Sequence, residues 1–358
     1  MKTLDISDFH LKRRLGDGSY SDVVLVQLQH HLKGSEEEEE EETVVHDGHN
    51  YYALKIVDKY HIVKHGAVGQ LQLERRLLEM MNDEDCTVRL YFTFQDSANV
   101  YLGLEPCLYG ELYDAIGQLD MEDIVFYAAE IVVMLDMLRR YGVVHRDLKP
   151  ENVLLGHGGH LKLIDFGSAY CLDSTEDHRG ESSSALVGTA EYVAVEILEH
   201  RDEITHGVDL WAFGCILYQM CVGKTPFRGA SEYLTFQNIL QGEIEYEGFE
   251  SLPSGGKDAR DLVERLLQRD PMARIGFSSL DEIRSHAFFD SIDTWDTLYD
   301  REETPYFTRV LYPATTVSGG GLPNSLLSEE TDEEDWELTS LAAHAARLNV
   351  SDENNISP

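Results

Sequence analysis

The sequence predicts an α+β fold in two lobes, a small antiparallel sheet first and a larger helical region after it. Three observations carry that prediction. Apolar stretches up to about residue 106 are short and rich in Val, Tyr and Phe. From Met121 onward helical periods dominate. After about Pro313 the chain opens with SGGG and holds one basic residue, Arg347, against nine acids. In order, DVVLVQLQ, YYALKIV, TVRLYFTFQ and NVYLGLE read as strands. One helix interrupts them in AVGQLQLERRLLEMM, where Val68, Leu71, Leu78 and Met81 recur at helical spacing. EDIVFYAAEIVVMLDMLRR and DLWAFGCILYQM read as helices of the second lobe. The acidic end is expected to be disordered, because it cannot bury enough apolar surface to offset the entropy of ordering. The seven glutamates Glu36 to Glu42 would repel one another in any packed arrangement. They read as a solvated loop insertion, with an interaction tag for basic partners as the other reading.

Composition narrows the function classes. A formal net charge of −37 repels a phosphate backbone, so nucleic acid is not an expected partner. Five cysteines, Cys86, Cys107, Cys171, Cys215 and Cys221, form no C-x-x-C pair and read as core thiols of a reducing compartment. MKTLDISDFHLKRRL lacks an apolar signal core, and no run approaches the roughly 20 apolar residues of a membrane span. The expectation is a cytoplasmic protein, with the nucleus also open, and no direct membrane binding.

The polar segment YGVVHRDLKPENVLL sets His145, Arg146, Asp147, Lys149, Glu151 and Asn152 between two apolar runs. Partly buried charge is costly unless paired or used, and a plain turn needs only Gly, Asn, Asp or Pro. This crowding therefore points to chemistry. In LGDGSYSDVV, Gly16 and Gly18 would let the backbone approach a phosphate, with Ser21 where a third glycine would complete the usual pattern. Lys55 lies on a strand, and Glu74, 19 positions later on the helix, is the partner a buried ammonium needs. Asp165, in LKLIDFGSA, and Asn152 offer hard oxygen ligands for magnesium bound to a nucleotide.

Glycine-rich turn, strand lysine, helix glutamate, HRDLKPEN and DFG stand in the order and spacing of the protein-kinase signature, and the chain resembles a protein kinase. That resemblance implies a bilobal kinase fold using ATP and Mg2+. Asp147 would orient the hydroxyl nucleophile and accept its proton. Lys149, a mark of Ser/Thr specificity, would neutralise the transferred phosphoryl. Asn152 and Asp165 would hold Mg2+, and Lys55, positioned by Glu74, the α and β phosphates. The backbone of Glu105 and Cys107 would meet adenine and Glu111 the ribose. Leu15, Gly16, Gly18, Ser19, Ser21, Val23, Ala53, Leu104, Glu151 and Leu154 complete the implied nucleotide site.

YFTFQD, GTAEYV, DLWAFGCILYQM and PFRGASEYLTFQ look like the AGC group, and within it the phosphoinositide-dependent kinases, across roughly residues 9 to 312. The implied boundaries are an N-terminal extension 1–8, a kinase domain 9–289 with lobes 9–106 and 107–289 and an acidic insertion 33–49, an AGC-like extension 290–313, and the acidic tail 314–358. No self-docking F-x-x-F motif follows Phe289. The resemblance implies that the empty pocket captures the hydrophobic tails of substrate AGC kinases. Its matching positions are Lys59, Ile62, Val63, Val68, Leu71, Val100 and Leu102, with Arg75, Thr93 and Gln95 placed for a phosphate. Plain packing of helix on sheet is the other reading of the apolar set. The acidic tail cannot form the lipid-binding domain common in that family, and a monomer is expected.

The activation segment departs from the resembled pattern. Ala185 stands at the phosphoacceptor position, and Arg146, Leu73 and Tyr170 at the three phosphate-ligand positions. Two of three ligands are thus lost with the acceptor, so a loop ordered without phosphate is expected, through packing of Tyr170 on Leu73. Use of the neighbouring Ser184 is the alternative. Thr189 would touch the Asp147 and Lys149 region, and Glu196 would pair with Arg274. An active kinase that phosphorylates activation loops of AGC kinases is the leading reading. A pseudokinase scaffold and a different AGC kinase remain as alternatives.

Overall fold

The computed structural model describes residues 4–18, 21–29, 51–172, 188–199, 204–252 and 255–311. Ser19, Ser184, Ala185, the acidic insertion 33–49 and the tail 314–358 lie outside them. Two compact units divide the chain. Among the described residues, one joins those up to Val68 with Leu90–Pro106; the other joins Gly69–Arg89 with Cys107 to Leu311.

The first unit is a five-stranded antiparallel sheet in the order β1-β2-β3-β5-β4. Its strands are β1 (Phe9–Gly18), β2 (Ser21–Leu28), β3 (Tyr51–Asp58), β4 (Leu90–Gln95) and β5 (Asn99–Leu104). Register assigns the faces, because residues opposite one another share a side and neighbours along a strand do not. Val24, Val26, Tyr52, Leu54, Ile56 and Tyr101 form a buried core with Phe9. Phe92 and Phe94 pack there too, with Phe94 stacked on Tyr101 at 4.4 Å. Gly103 makes room for this cluster, since a Cβ there would sit 2.3 Å from the Phe92 ring. The opposite face carries Val23 across from Lys55, and Ala53 across from Leu104. A short helix, α1 (Lys59–Lys64), follows β3 and is capped by Asp58, whose carboxylate accepts from the His61 N–H at 2.8 Å. The sequence pattern shows one helix in this region; six residues are too few to display a period, so α1 escapes it.

Helix α2 (Val68–Met80) belongs to the second unit from Gly69 on. The other helices of that unit are α3 (Leu112–Ala115), α4 (Met121–Arg140), α5 (Val195–Leu198), α6 (Gly207–Val222), α7 (Glu232–Gln241), α8 (Glu247–Glu250), α9 (Gly256–Leu266) and α10 (Asp281–Arg284). Helix α4 starts at a reciprocal cap between Asp120 and Asp123. Helix α6 is buried from Gly207 to Cys221 and packs on α4 and α9, which explains its nearly unbroken apolar sequence. Two short ladders lie beside these helices, β6 (Val143–Val144) with β9 (Tyr170–Cys171) and β7 (Val153–Leu155) with β8 (Leu161–Leu163).

The chain after residue 290 straps onto this unit. Tyr299 donates to the Leu161 carbonyl at 3.0 Å, the Thr304 N–H to the Gly158 carbonyl at 2.8 Å, and Arg309 pairs with Asp120 at 3.1 Å. No helix among the described residues is long and apolar enough to cross a membrane.

Candidate active site

The loop from β6 to β7 is held from below by one carboxylate. Asp209, buried near the start of α6, accepts from the His145 N–H at 2.8 Å and the Arg146 N–H at 3.0 Å. Burial pushes its carboxyl up, against the charge of His145 and these two donors. The His145 ring lies edge-on to Phe166 at 5.3 Å and its Nε2 faces the Ile164 carbonyl at 3.0 Å. The HRD and DFG segments are thereby fixed to each other. Arg146 (φ 66°) and Asp165 (φ 61°) are the only non-glycine residues with positive φ among those described. Such backbone persists where its surroundings impose it, and here it flanks the polar cluster.

Both carboxylate oxygens of Asp147, and its carbonyl, have neighbours. Oδ1 accepts from the Thr189 N–H at 2.9 Å and lies 3.3 Å from the Thr189 hydroxyl. Oδ2 lies 3.0 Å from both Lys149 Nζ and Asn152 Nδ2. The Asn152 amide also donates to the Asp147 carbonyl at 2.8 Å. Lys149 donates to the Thr189 hydroxyl at 2.6 Å, so the lysine bridges Asp147 and Thr189. Gly188, at φ 106°, precedes this threonine; a Cβ there would stand 2.8 Å from the Arg146 carbonyl, so only glycine brings Thr189 this close.

A magnesium site is chemically consistent with these residues. Both Nδ2 protons of Asn152 are spent on Asp147, which turns its amide oxygen the other way, and the Ile164 N–H donates to the Asn152 carbonyl at 3.0 Å. Asp165 is exposed, with one oxygen 3.3 Å from the Gly167 N–H. Among the described residues no group of three His, Cys, Asp or Glu side chains could hold a metal ion. One carboxylate plus one amide suits Mg2+, which keeps waters and takes phosphate oxygens, rather than a metal needing an all-protein cage.

The remaining positions divide between the units. In the second, Glu111 bridges to Leu154 and the Leu155 N–H donates to the Gly110 carbonyl at 2.9 Å. Burial, then the charges of Asp114 and Glu151, push the Glu111 carboxyl up, while Lys149 opposes them. Cys107 is half-buried, and Glu74 is buried within α2. In the first unit, Gly16 pairs with Val23 and Gly18 with Ser21, and Lys55 sits between Val23 and Leu102. Leu15, Leu104 and Glu105 are half-buried and Ala53 is buried.

The expected docking residues likewise fall in both units, most of them in the first. In the first unit Ile62 and Leu102 are buried, Val63 is 68% exposed, and Thr93 and Gln95 are exposed on one side of β4, with Val100 half-buried opposite Gln95. Lys59 donates to the Asp96 carbonyl at 2.5 Å. Val68 is 37% exposed. In the second unit Leu71 is half-buried and Arg75 is exposed, paired with Glu79 one helical turn away at 2.5 Å. Arg75, expected at a phosphate position, thus also has a carboxylate neighbour on its own helix. Glu196 and Arg274 do form a buried bidentate pair, at 2.7 and 2.6 Å, and Arg274 also donates to the carbonyls of Gly207 and Gln268 and lies over Trp211.

Sequence reasoning missed Asp209, although it opens the quoted helix DLWAFGCILYQM. A lone acid heading an apolar helix was its signal. It also missed the grip of Ser168 on Arg146 and the need for glycine at 188.

The protein kinase domain family matches residues 41–289, well over half of the chain. The chain belongs to the protein kinase family. The kinase is 36% identical over 96% of its length to 3-phosphoinositide-dependent protein kinase 1 of Arabidopsis thaliana, and 39% identical over 86% to the Homo sapiens protein of that name. Serine/threonine-protein kinase PKH1 of Saccharomyces cerevisiae is 36% identical over 82%. The chain spans 65%, 51% and 36% of those relatives' own lengths. These similarities agree with the AGC-type motifs YFTFQD, GTAEYV, DLWAFGCILYQM and PFRGASEYLTFQ.

Proposed function

We propose that the kinase transfers the γ-phosphoryl of Mg·ATP to activation-loop Thr or Ser residues of other AGC kinases, and that their hydrophobic tails dock on its small lobe. One observation carries the Ser/Thr transfer reading: Lys149 bridges Asp147 and Thr189, a lysine and a threonine gathered on one carboxylate. Asp147 orients the substrate hydroxyl and takes its proton, and Lys149 neutralises charge on the phosphoryl in flight. Mg2+, when held by Asp165 and the amide oxygen of Asn152, supplies charge neutralisation on the phosphates. Lys55 takes the α and β phosphates, and Glu111 the ribose. The named relatives support the choice of substrate class, since two carry the name 3-phosphoinositide-dependent protein kinase 1.

The test incubates the purified chain and Mg·ATP with an inactive AGC kinase, with and without its hydrophobic tail, and maps the phosphate. Modification of the activation loop, weakened by removing the tail and by Arg75→Ala, is the expected result. Equal modification of both substrates would remove docking from the account. Nucleotide binding without transfer would favour a scaffold.

A further inference from the structure

The catalytic loop is tied to the strand after DFG through the side chain of Arg146. Its Nε donates to the Ser168 carbonyl at 2.6 Å, and its guanidinium lies over the Tyr170 ring, 5.9 Å from the centroid. Tyr170 is itself fixed, because it pairs with Val144 in the β6–β9 ladder. The backbone of Arg146 is committed on two other sides: its N–H goes to Asp209 and its carbonyl is approached by Gly188. Asp147, the next residue, therefore inherits its position from a residue gripped by Asp209 of α6, by the Ser168 carbonyl and by Tyr170 of β9. Arg146 also keeps a left-handed backbone, which relaxes unless something holds it.

The geometry points to Tyr170 as a positioning residue for phosphoryl transfer: its ring face, with the Ser168 carbonyl, holds the Arg146 guanidinium and so the backbone that presents Asp147. This rests on the proposed kinase reading of Asp147. An aromatic face attracts a guanidinium through its quadrupole within about 6 Å, and the planar, delocalised guanidinium stacks on such faces more readily than a strongly hydrated ammonium. Tyr170 thus holds Arg146 without contributing a charge of its own. The sequence reading paired Tyr170 with Leu73 and did not see that the Arg146 guanidinium lies over its ring.

Three substitutions in the full chain separate a ring-face role from mere filling of space. Tyr170→Leu keeps bulk and loses the ring, and kcat should fall about 3- to 30-fold with KM for ATP within about twofold of wild type. Tyr170→Phe keeps the ring face and should restore kcat to within about twofold. Tyr170→Lys sets a like charge beside Arg146 and should be at least as impaired as the leucine variant. A second readout does not depend on activity: the Arg146 Nε–H proton, followed by nitrogen-15 NMR, should exchange with solvent faster in Tyr170→Leu than in wild type or Tyr170→Phe. Wild-type kcat in the leucine variant, equal loss in the leucine and phenylalanine variants, or unchanged Nε–H exchange would each overturn the proposal. Absence of transfer in wild type would instead defeat the kinase reading, and the exchange rates would still decide whether Tyr170 holds Arg146.

Discussion

Asp209 and Glu130 are both buried carboxylates in the second unit, one on α6 and one on α4, and burial pushes both upward. They differ in what answers them. Asp209 is met by two main-chain N–H groups, those of His145 and Arg146. Glu130 is met by the Leu161 N–H at 2.9 Å and by His160 Nδ1 at 2.5 Å. The other nitrogen of His160 faces the Arg301 carbonyl at 2.7 Å, and its ring stacks on Tyr299. A main-chain donor is always present, so the donors anchoring the catalytic loop do not titrate. The imidazole has acceptors at both nitrogens and needs both protons, so the anchor of the C-terminal strap depends on pH.

The largest effect should come from Asp209→Ala. Each N–H it strands costs about 1–3 kcal/mol, read as a lowered urea midpoint at unchanged m. Transfer should fall with it, because the loop presenting Asp147 loses its support. A variant as stable and active as wild type would break the comparison on the catalytic side.

Glu130→Gln should rank next, at about 1–3 kcal/mol, because His160 loses a charged acceptor while the Leu161 N–H can still be answered by the amide oxygen. Its transfer rate per folded molecule should change less than in Asp209→Ala. An equal loss of rate would mean that the strap governs catalysis as strongly as α6 does.

The pH dependence sharpens the contrast. Burial lowers His160, but the hydrogen bond and charge of Glu130 and the Arg301 carbonyl outweigh it, so His160 stands above its ordinary 6.5; Lys162 opposes them. Glu130 stands above its ordinary 4.5 through burial. With both values raised, the folded chain holds more protons than the unfolded one. The His160 contribution is therefore present below pH 6.5 and lost as pH rises through its raised value, while that of Glu130 declines already from pH 4.5 upward. Chemical denaturation of wild type from pH 6.5 upward should show a steeper decline than the Glu130→Gln/His160→Gln double variant, in which the proton has been removed from the linkage. Parallel lines would refute it.

The smallest effect belongs to Arg75→Ala. Its partner Glu79 is on the same helix and both side chains are close to half exposed, so stability should change by less than about 0.5 kcal/mol. Any loss of substrate phosphorylation in this variant would then report on docking and not on folding.

Much of this was readable beforehand because its signals are local. Short stretches rich in Val, Tyr and Phe marked β2 through β5, and HRDLKPEN singled out Lys149 and Asn152, which the structure gathers on Asp147. The anchors were not readable, since Glu130 meets His160 across 30 positions and Asp209 meets the loop across more than 60. In sequence Asp209 is the lone acid of an apolar helix, and Glu130 is one of four acids in α4 with nothing local to single it out. Helix α1 is too short to show a period, and Tyr170 found its partner through β-pairing with Val144, which no spacing encodes.

The most direct test of the central claim is phosphate incorporation into an inactive AGC kinase by the wild-type chain and by Asp147→Asn, with Mg·ATP and matched folded protein. Asn keeps the shape of Asp147 but cannot take a proton from the substrate hydroxyl. The account predicts transfer by wild type and a rate at least about 10²-fold lower in the variant. Equal rates in the two proteins, or none in wild type while Mg·ATP binds, would contradict it.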